Sequence, residues 1–328
     1  MHVAREARRK HALRRASLAS SPLLKSPLEV VGALSTPYRM PFNFLPNGCS
    51  WYETHRLGGC IRRATPRHEC ATPSDAVLQR HRLAIIVPYR ATTDGPQGLG
   101  ALLELCRRLP RHLAQHSDVR FRIVVANQTD ARPFNRGALV NAAVRALSDS
   151  RSRWSTFDYL AIHDADRFPA QGNRSGCATA TSAYYSYPEP QPRALHPDSF
   201  AGGVLVLSRH LFRAVNGFSN QYWGWGEEDN DLFVRLRWCG LPPKHGDALE
   251  TCMDHQDCVA CRRQKQQLDQ MALRAHEARL RGRLSHPRPH MLRDGLSTLN
   301  FTFAGLNSQR CGGVAVTVVQ VDLSDHTG

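Results

Sequence analysis

Short continuous apolar runs alternate with segments of helical period from Leu83 onward. The run Leu83–Val87, closed by Pro88, is typical of a strand buried on both faces. Leucines follow at helical spacing between Gly98 and His116, at positions 102, 103, 105 and 109, and a second apolar run extends from Phe121 to Ala126. A strand, a helix and a further buried strand in this order predict a parallel α/β sheet.

The same alternation continues with a helix over 135–148 and a strand over Tyr159–Ile162. We therefore expect a doubly wound, mostly parallel sheet within one domain over residues 79–328. Ligands of such sheets bind beyond the carboxyl ends of the strands, so the loops after these strands should converge on one site. Residues 1–78 are rich in Arg, Pro and Ser without a sustained period, which predicts a basic, stem-like or flexible segment.

The charge of the chain is strongly positive. It carries 43 Lys and Arg against 28 Asp and Glu, a formal net charge of +15, which favours polyanionic partners such as nucleotide phosphates, sulfated glycans, membranes or nucleic acids. No recognition-helix pattern, finger spacing or RNA-binding motif accompanies the charge, so we expect no nucleic-acid partner. The basic start lacks a signal-peptide core and no apolar run is long enough to span a bilayer, so we expect any membrane anchor to lie outside this chain.

The cysteines would permit several disulfides in an oxidising compartment. Ten Cys are scattered along the chain, with clusters at 49–70 and 252–261, and their pairing does not follow from the sequence. Three Asn-x-Ser/Thr triplets, at Asn127, Asn173 and Asn300, are compatible with a secretory lumen. A cytosolic protein is the alternative.

Two carboxylates stand directly at the end of an apolar strand. Asp164 and Asp166 follow Tyr159–Ile162, and the intervening Ala165 points the other way. Acidic groups at such a position cost desolvation energy unless a cation neutralises them, and a divalent ion such as Mn²⁺ or Mg²⁺ that also binds a diphosphate meets that need. The alternative is a solvated turn at the strand end.

A second set of candidate residues lies between 200 and 231. Gly202 and Gly203 precede an apolar strand and would let the backbone approach a sugar or phosphate closely. Further along, a block rich in Trp, Gly and acids offers aromatic faces to a pyranose ring and carboxylates to its hydroxyls, through Trp223, Trp225, Glu228, Asp229 and Asp231. A carboxylate beside an aromatic wall also suits a general base. An acidic first turn of a helix explains the acids but not the two Trp.

Taken together, these motifs resemble, in order along the chain, the β-1,4-galactosyltransferase family. The segments that carry the resemblance are Ile85–Arg90, Phe134–Leu139, His163–Asp166, Gly202–Gly203, Gly217–Asp231 and Arg293–Thr298. The resemblance covers about residues 80–325 and is greatest to the branch that galactosylates xylose in the proteoglycan linkage region. It implies a GT-A-like nucleotide-sugar transferase fold in which residues 79–328 form the catalytic domain.

The resemblance also implies roles for individual residues. Asp164 matches a nucleotide contact and Asp166 a Mn²⁺ ligand, while Trp225 matches the Trp that contacts donor and acceptor. Glu228 matches a residue that accepts a sugar hydroxyl, and Asp229 matches the catalytic base. The positions that match holders of the uridine and diphosphate are Pro88, Tyr89, Arg90, Phe134 and Arg136, and we add Gly203 to this donor site. Asn230 stands where the family usually has Asp.

The remaining metal ligands depart from the family pattern. Met253 and His255 are the nearest candidates for the His-x-His or Met and His that relatives supply after the Trp block. Two other interpretations of 252–261 stay open, a small zinc site that uses the Cys residues with His255, and a pair of disulfides.

We therefore expect an inverting, metal-dependent transferase that moves galactose from UDP-galactose to a glycan in β-1,4 linkage. The terminal acceptor sugar, xylose, glucose or N-acetylglucosamine, stays open, as does N-acetylgalactosamine as an alternative donor sugar. The acceptor would be a glycan, a glycoprotein or a proteoglycan, and the location the Golgi lumen, as for a type II membrane protein. The alternative is a non-catalytic glycan- or polyanion-binding protein of the same fold.

Overall fold

The computed structural model describes residues 81–90, 95–148, 157–171, 175–188, 191–195, 201–255, 270–285 and 287–326. The predicted stem-like segment and the cysteine cluster at 49–70 lie outside the described residues. The strands are β1 (Arg82–Tyr89), β2 (Arg120–Gln128), β3 (Tyr159–His163), β4 (Arg167–Pro169), β5 (Arg193–Ala194), β6 (Val204–Ser208), β7 (Lys244–His245), β8 (Met253–His255), β9 (Thr302–Cys311) and β10 (Val314–Asp322). The helices are α1 (Gly95–His116), α2 (Arg136–Ser148), α3 (Cys177–Tyr184), α4 (Arg209–Ala214), α5 (Glu228–Trp238), α6 (Asp247–Glu250), α7 (Gln270–Ser285) and α8 (Pro287–Arg293).

A mixed eight-stranded sheet forms the centre of the fold, in the order β7-β5-β6-β3-β1-β2-β10-β9. Its middle is parallel: β1 pairs with β2 and β3, and β2 pairs with β10. Strands β6 and β9 join antiparallel. The α/β class and the mostly parallel sheet are thus confirmed, while the antiparallel flanks were not predicted.

Helices cover both faces of the sheet, which explains why the strands have continuous apolar runs. In β1, Ala84 and Ile86 belong to an apolar cluster shared with α2, whereas Leu83 and Ile85 belong to a second cluster shared with α1. The helix predicted at 98–116 begins earlier, at Gly95, and continues through Pro110. Of the four leucines at helical spacing, Leu103 is exposed.

A C-terminal hairpin that the sequence analysis did not predict completes the sheet. Gly312 and Gly313 connect β9 to β10 with φ of 57° and 88°, the left-handed values that a two-residue hairpin turn requires. Strand β9 lies at the edge of the sheet, and a disulfide between Cys106 and Cys311 ties it to α1. No helix among the described residues combines the length and apolar character needed to cross a bilayer.

Strands β4 and β8 form a separate antiparallel ribbon, in which Arg167 is paired with His255 and Pro169 with Met253. A second disulfide joins Cys177 at the start of α3 to Cys252, immediately before β8. This bond contradicts the zinc interpretation, because a sulfur held in a disulfide is not a thiolate ligand. It confirms that the cysteine cluster at 252–261 takes part in disulfide bonding.

Candidate active site

The ends of three elements meet at one side of the sheet: the end of β3, the start of α2 and the start of α5. The guanidinium of Arg136, the first residue of α2, donates to Asp164 Oδ1 through Nε at 3.0 Å and Nη2 at 2.8 Å. Its third nitrogen, Nη1, lies 3.7 Å from Glu228 Oε1 at the start of α5. Carboxylates that are 64 positions apart in sequence, at 164 and 228, therefore face one arginine, and Asp229 follows directly.

Buried amides fix the start of α2 in this place. Asn135 caps the helix by accepting from the Ala138 backbone N–H at 2.9 Å, and its own amide donates to the Asn220 carbonyl at 2.7 Å. Gly137 allows the close approach, since a Cβ there would stand 2.7 Å from the Ser219 carbonyl oxygen. These contacts hold the segment before the Trp block against α2.

The Trp block turns sharply on residues with left-handed backbone angles. Gly224, Gly226 and the non-glycine Glu227 have φ of 89°, 104° and 75°. The Gly224 N–H donates to the Phe134 carbonyl at 2.7 Å, which ties Trp225 and its neighbours to the loop before α2. A left-handed Glu costs strain energy, and such strain is often found at functional sites.

The two tryptophans differ in what they present. The guanidinium carbon of Arg132 lies 3.6 Å from the centre of the Trp223 ring, and the ring also packs on the core. One face of Trp223 is therefore covered, so the expectation that both rings offer open faces to a sugar is wrong for that face. Trp225 is half-buried between the two turn glycines.

Asp231 is a part of the core, which corrects its prediction as a sugar-hydroxyl acceptor. Its carboxylate accepts from Arg235 Nε and Arg283 Nη1, both at 2.6 Å, and from the Tyr222 hydroxyl at 3.1 Å. Arg283 also donates to Asp294 Oδ2 at 2.8 Å. Asp294, within the Arg293–Thr298 motif, is thus linked through Arg283 to Asp231 in the first turn of α5. No pattern in the sequence indicated this contact.

The carboxylates at the start of α5 are protonated unusually easily. Burial, and secondly the charge of Asp229, raise the pKa of Glu228 to about 8. Burial also raises the pKa of Asp229, although the charge of Arg136 opposes it. Burial would lower the pKa of Arg136, but the negative charges of Asp164, Glu228 and Asp229 outweigh burial and raise that pKa. Two adjacent acids in such surroundings are able to divide the roles of proton holder and base.

The site has an unfilled hydrogen-bonding capacity that suits an anion. Arg136 Nη1 is buried and makes no hydrogen bond among the described residues. A buried guanidinium N–H is costly to leave unpaired, and a phosphate oxygen is a partner for which guanidinium geometry is well matched.

Asp166 and His255 form a potential cation site. His255 Nε2 lies 3.2 Å from Asp166 Oδ2, because the ribbon pairs β8 with the strand that follows Asp166. Neighbouring ligands of an octahedral divalent ion are about 3 Å apart, so an oxygen and an imidazole nitrogen at this spacing fit one. Burial would raise the pKa of Asp166, but the hydrogen bond and charge of His255 outweigh it and lower that pKa. Met253, two residues earlier on the same strand, is buried in an apolar cluster.

The remaining predicted donor-site residues surround the ends of β1 and β6. Pro88 and Tyr89 end β1 and are buried. Arg90 is also buried, and its guanidinium donates to the carbonyl oxygens of Asp130 and Arg132. Two of its nitrogens thus hold the loop that leads to Phe134. Gly203 has a φ of 76°, and its carbonyl accepts from the Asp164 N–H at 2.9 Å.

His163, the last residue of β3, holds the end of this strand in place through two hydrogen bonds of its ring. It is fully buried, with Nδ1 against the Asp164 carbonyl and Nε2 against the Tyr185 hydroxyl, both at 2.8 Å. Burial lowers the pKa of His163 to about 4, so the ring is neutral at physiological pH. A carbonyl at Nδ1 requires a donor there, so Nε2 accepts from the tyrosine.

Comparisons with known proteins bear on this site. Residues 63–177 match the family described as the N-terminal region of glycosyl transferase group 7, and residues 187–250 match that described as the N-terminal domain of galactosyltransferase. Together these two matches span more than half of the chain.

Individual relatives carry the same activity in their names. The chain is 35% identical over 183 residues to β-1,4-galactosyltransferase 7 of Drosophila melanogaster (55% of this chain, 52% of the relative) and 34% identical over 183 residues to that of Homo sapiens (56% and 51%). It thus spans about half the length of these two relatives. It is also 28% identical over 298 residues to human β-1,4-galactosyltransferase 1 (87% and 63%).

A solved structure of the Drosophila relative, a variant in complex with manganese, UDP-galactose and xylobiose, is similar in fold. Its TM-score is 0.57 at 26% sequence identity, and the match covers 74% of this chain and 94% of that one. The GT-A-like architecture that the motifs imply is therefore confirmed.

Proposed function

Because the chain belongs to the β-1,4-galactosyltransferase family, we propose that it transfers galactose from UDP-galactose to a glycan, with inversion and in β-1,4 linkage. The observation that carries this proposal is the position of Arg136 between Asp164 and Glu228, at 2.8 and 3.7 Å. It brings the acids at the end of β3 and at the start of α5 to one site.

The chemistry proposed is a single displacement. Asp229 accepts the proton of the attacking acceptor hydroxyl, and the hydroxyl oxygen forms a bond to the anomeric carbon as the bond to UDP breaks on the opposite face. A base works best when its pKa is close to the working pH, and burial moves the pKa of Asp229 upward in that direction. Glu228, with a pKa of about 8, holds a proton at neutral pH, and its carboxyl group would accept a hydrogen bond from a sugar hydroxyl.

The donor would lie against α2 and the end of β3. Arg136 Nη1, buried and without a hydrogen bond in the described part of the chain, would donate to a diphosphate oxygen. Phe134 and Tyr89 supply aromatic surface for the uracil, and Pro88, Arg90 and Gly203 shape the backbone around them. Trp225 would contact the sugars of both substrates.

Mn²⁺ is the cofactor proposed, held by Asp166 and His255, with Met253 as the third candidate ligand. A divalent ion supplies positive charge that stabilises the diphosphate as it leaves. The charges of Asp164 and Asp229 both act on the single Arg136, so an added cation also relieves the mutual repulsion of these carboxylates.

Xylose is the acceptor sugar we propose, on a glycan or proteoglycan. The relatives named β-1,4-galactosyltransferase 7 and the complex with xylobiose support this choice. We propose the Golgi lumen as the location, because the disulfides Cys106–Cys311 and Cys177–Cys252 need an oxidising compartment.

A transfer assay tests the proposal. Purified protein is incubated with UDP-galactose or UDP-N-acetylgalactosamine and with xylose, glucose or N-acetylglucosamine glycosides, with and without Mn²⁺. We expect a galactosylated xyloside that requires Mn²⁺, and Asp229→Asn should lower the rate by about 10²- to 10⁴-fold. Asp118→Asn is the matched control, because Asp118 precedes the start of β2, at the opposite ends of the parallel strands from the site.

The assay also separates the non-catalytic alternative. UDP-galactose binding without product, for every acceptor and with Mn²⁺ present, would refute the enzyme and favour a glycan-binding protein of this fold. Full activity in Asp229→Asn would remove the proposed base.

A further inference from the structure

Asp166 and His255, the proposed metal ligands, are held together by a very short ribbon. β4 and β8 have three residues each, and only three residue pairs join them. Asp166 precedes β4 and His255 ends β8, so their spacing of 3.2 Å depends on how firmly this ribbon is fixed. A ribbon of two strands is marginal by itself, so other elements have to fix it.

We propose that Arg108 on α1 is a positioning residue for the metal ligands, an inference that rests on the proposed function. Its Nη1 donates to Asp254 Oδ2 at 2.8 Å on β8 and to the Pro169 carbonyl at 3.3 Å on β4. The guanidinium carbon also lies 4.7 Å from the centre of the Phe168 ring. One side chain from outside the ribbon therefore contacts both strands of it.

The contacts of Arg108 lie next to the ligands in sequence. Asp254 directly precedes His255, and Phe168 stands two positions after Asp166. The bond to Asp254 therefore fixes β8 one residue from the imidazole, while the bond to Pro169 and the ring contact fix β4 near the carboxylate. Outer residues that orient metal ligands typically change metal affinity by about 10- to 100-fold when they are removed.

The helix holds Arg108 ready for this role. Glu104, one helical turn earlier, accepts from Arg108 Nε, and the same carboxylate accepts from the exposed Arg107. The side chain of Arg108 is only 18% exposed, so the ion pair with Asp254 is partly shielded from water. Such shielding makes the contact stronger than an ordinary surface pair.

An alternative role for Arg108 would be to bind an anion. A cavity of about 380 Å³ opens beside His255 and is lined by Gly100, Glu104, Arg108, Phe168, Asp254 and His255. The charge of Arg108 is already matched there by two carboxylates, Glu104 and Asp254. The cavity therefore lacks the excess positive charge that a phosphate or sulfate site needs, and bracing of the ribbon accounts for the arrangement.

The test compares Arg108→Gln with Arg107→Gln. Both substitutions remove an arginine that pairs with Glu104, but only the first removes contacts to the ribbon. Mn²⁺ is titrated into the full chain with saturating UDP, by isothermal titration calorimetry or by the paramagnetic resonance signal of free Mn²⁺. We expect Arg108→Gln to weaken Mn²⁺ binding by about 10-fold or more and Arg107→Gln to change it less than about 2-fold.

Transfer kinetics separate positioning from general damage. In Arg108→Gln, the Mn²⁺ concentration for half-maximal rate should rise by the same factor, while kcat at saturating Mn²⁺ stays within about 3-fold of the wild-type value. Asp254→Asn, which keeps the shape of the partner, should show the same pattern. A fall in kcat that added Mn²⁺ does not restore, together with a lower Tm, would mean that Arg108 only stabilises the fold.

The outcomes for the two proposals differ. Equal Mn²⁺ affinity in Arg108→Gln and Arg107→Gln overturns the positioning role and leaves the transferase proposal in place. A flat Mn²⁺ titration of the wild-type protein overturns the positioning role together with the proposed metal dependence, and the transfer assay decides separately whether galactose is transferred.

Discussion

Replacement of Asp231 by Asn disturbs a set of four buried charges beneath the start of α5. Asp231 and Asp294 balance Arg235 and Arg283, and all four side chains are at most 7% exposed. Asp231→Asn keeps the shape but removes one negative charge, so the two arginines are left with a single carboxylate.

The expected destabilisation is large for one substitution. Removal of one partner from a buried ion pair costs about 3–5 kcal/mol, because it leaves a charge without compensation. For a domain of this size each kcal/mol lowers Tm by about 2–4 °C, so we expect a decrease of about 6–20 °C.

Urea unfolding followed by circular dichroism measures this loss. The double variant Asp231→Asn/Arg283→Met restores the charge balance, and it should therefore be more stable than the single variant. An Asp231→Asn protein within about 1 kcal/mol of wild type, or a double variant that loses the sum of two independent effects, would refute the argument.

The same residue gives a pH dependence with a definite sign. Burial would raise the pKa of Asp231, but Arg235 and Arg283 outweigh it and lower that pKa in the folded protein. The stabilisation is therefore present above the unfolded pKa of about 4 and is lost as the pH falls toward the folded pKa. In Asp231→Asn this acid-dependent part of the loss should be absent from the urea midpoints measured at decreasing pH.

Three further predictions concern the site and its surroundings. The pKa of Glu228 is raised from 4.5 to about 8, so wild-type stability falls as the pH rises between these values. At pH 8, Glu228→Gln should therefore have a free energy of unfolding about 1–3 kcal/mol higher than wild type, and it should lose transferase activity. An unchanged pH dependence of Tm would contradict this. Substitution of Cys177 and Cys252 by Ser should cost about 2–4 kcal/mol in urea unfolding and weaken Mn²⁺ binding, whereas retained affinity would show that the ribbon does not need the bond. Expression in a eukaryotic secretory host should give a glycan on Asn300, which is exposed. Asn127 should carry none, because its amide donates to Gln320 at 2.7 Å inside the sheet. Peptide mass spectrometry after glycosidase treatment shows which of the two asparagines is modified.

The sequence predicted most accurately the strands that are buried on both faces, because a continuous apolar run marks each of them. Strands β1, β2 and β3 lie between helices on either side, so their apolar runs are continuous and were identified within one or two residues of their ends. Asp164 and Asp166 could be placed for the same reason, because they follow such a strand directly.

Contacts between short or distant segments could not be predicted in this way. The ribbon strands β4 and β8 are too short to show a period, so nothing local indicates that His255 meets Asp166. Asp231 shares an acidic run with Glu228 and Asp229, and only its pairing with Arg283, 52 residues later, reveals its different role. The resemblance placed Arg293–Thr298 in the family but gave no reason for the acid within it.

The order of strands in the sheet has a consequence for biosynthesis. β10 is the parallel neighbour of β2, and it leaves the ribosome after every other strand described. Until then one edge of β2 has no partner, and unpaired strand edges invite association with other nascent chains. Newly made protein is therefore exposed to such association until β10 docks. Closure of Cys106–Cys311, which needs the hairpin in place, marks the end of that vulnerable period.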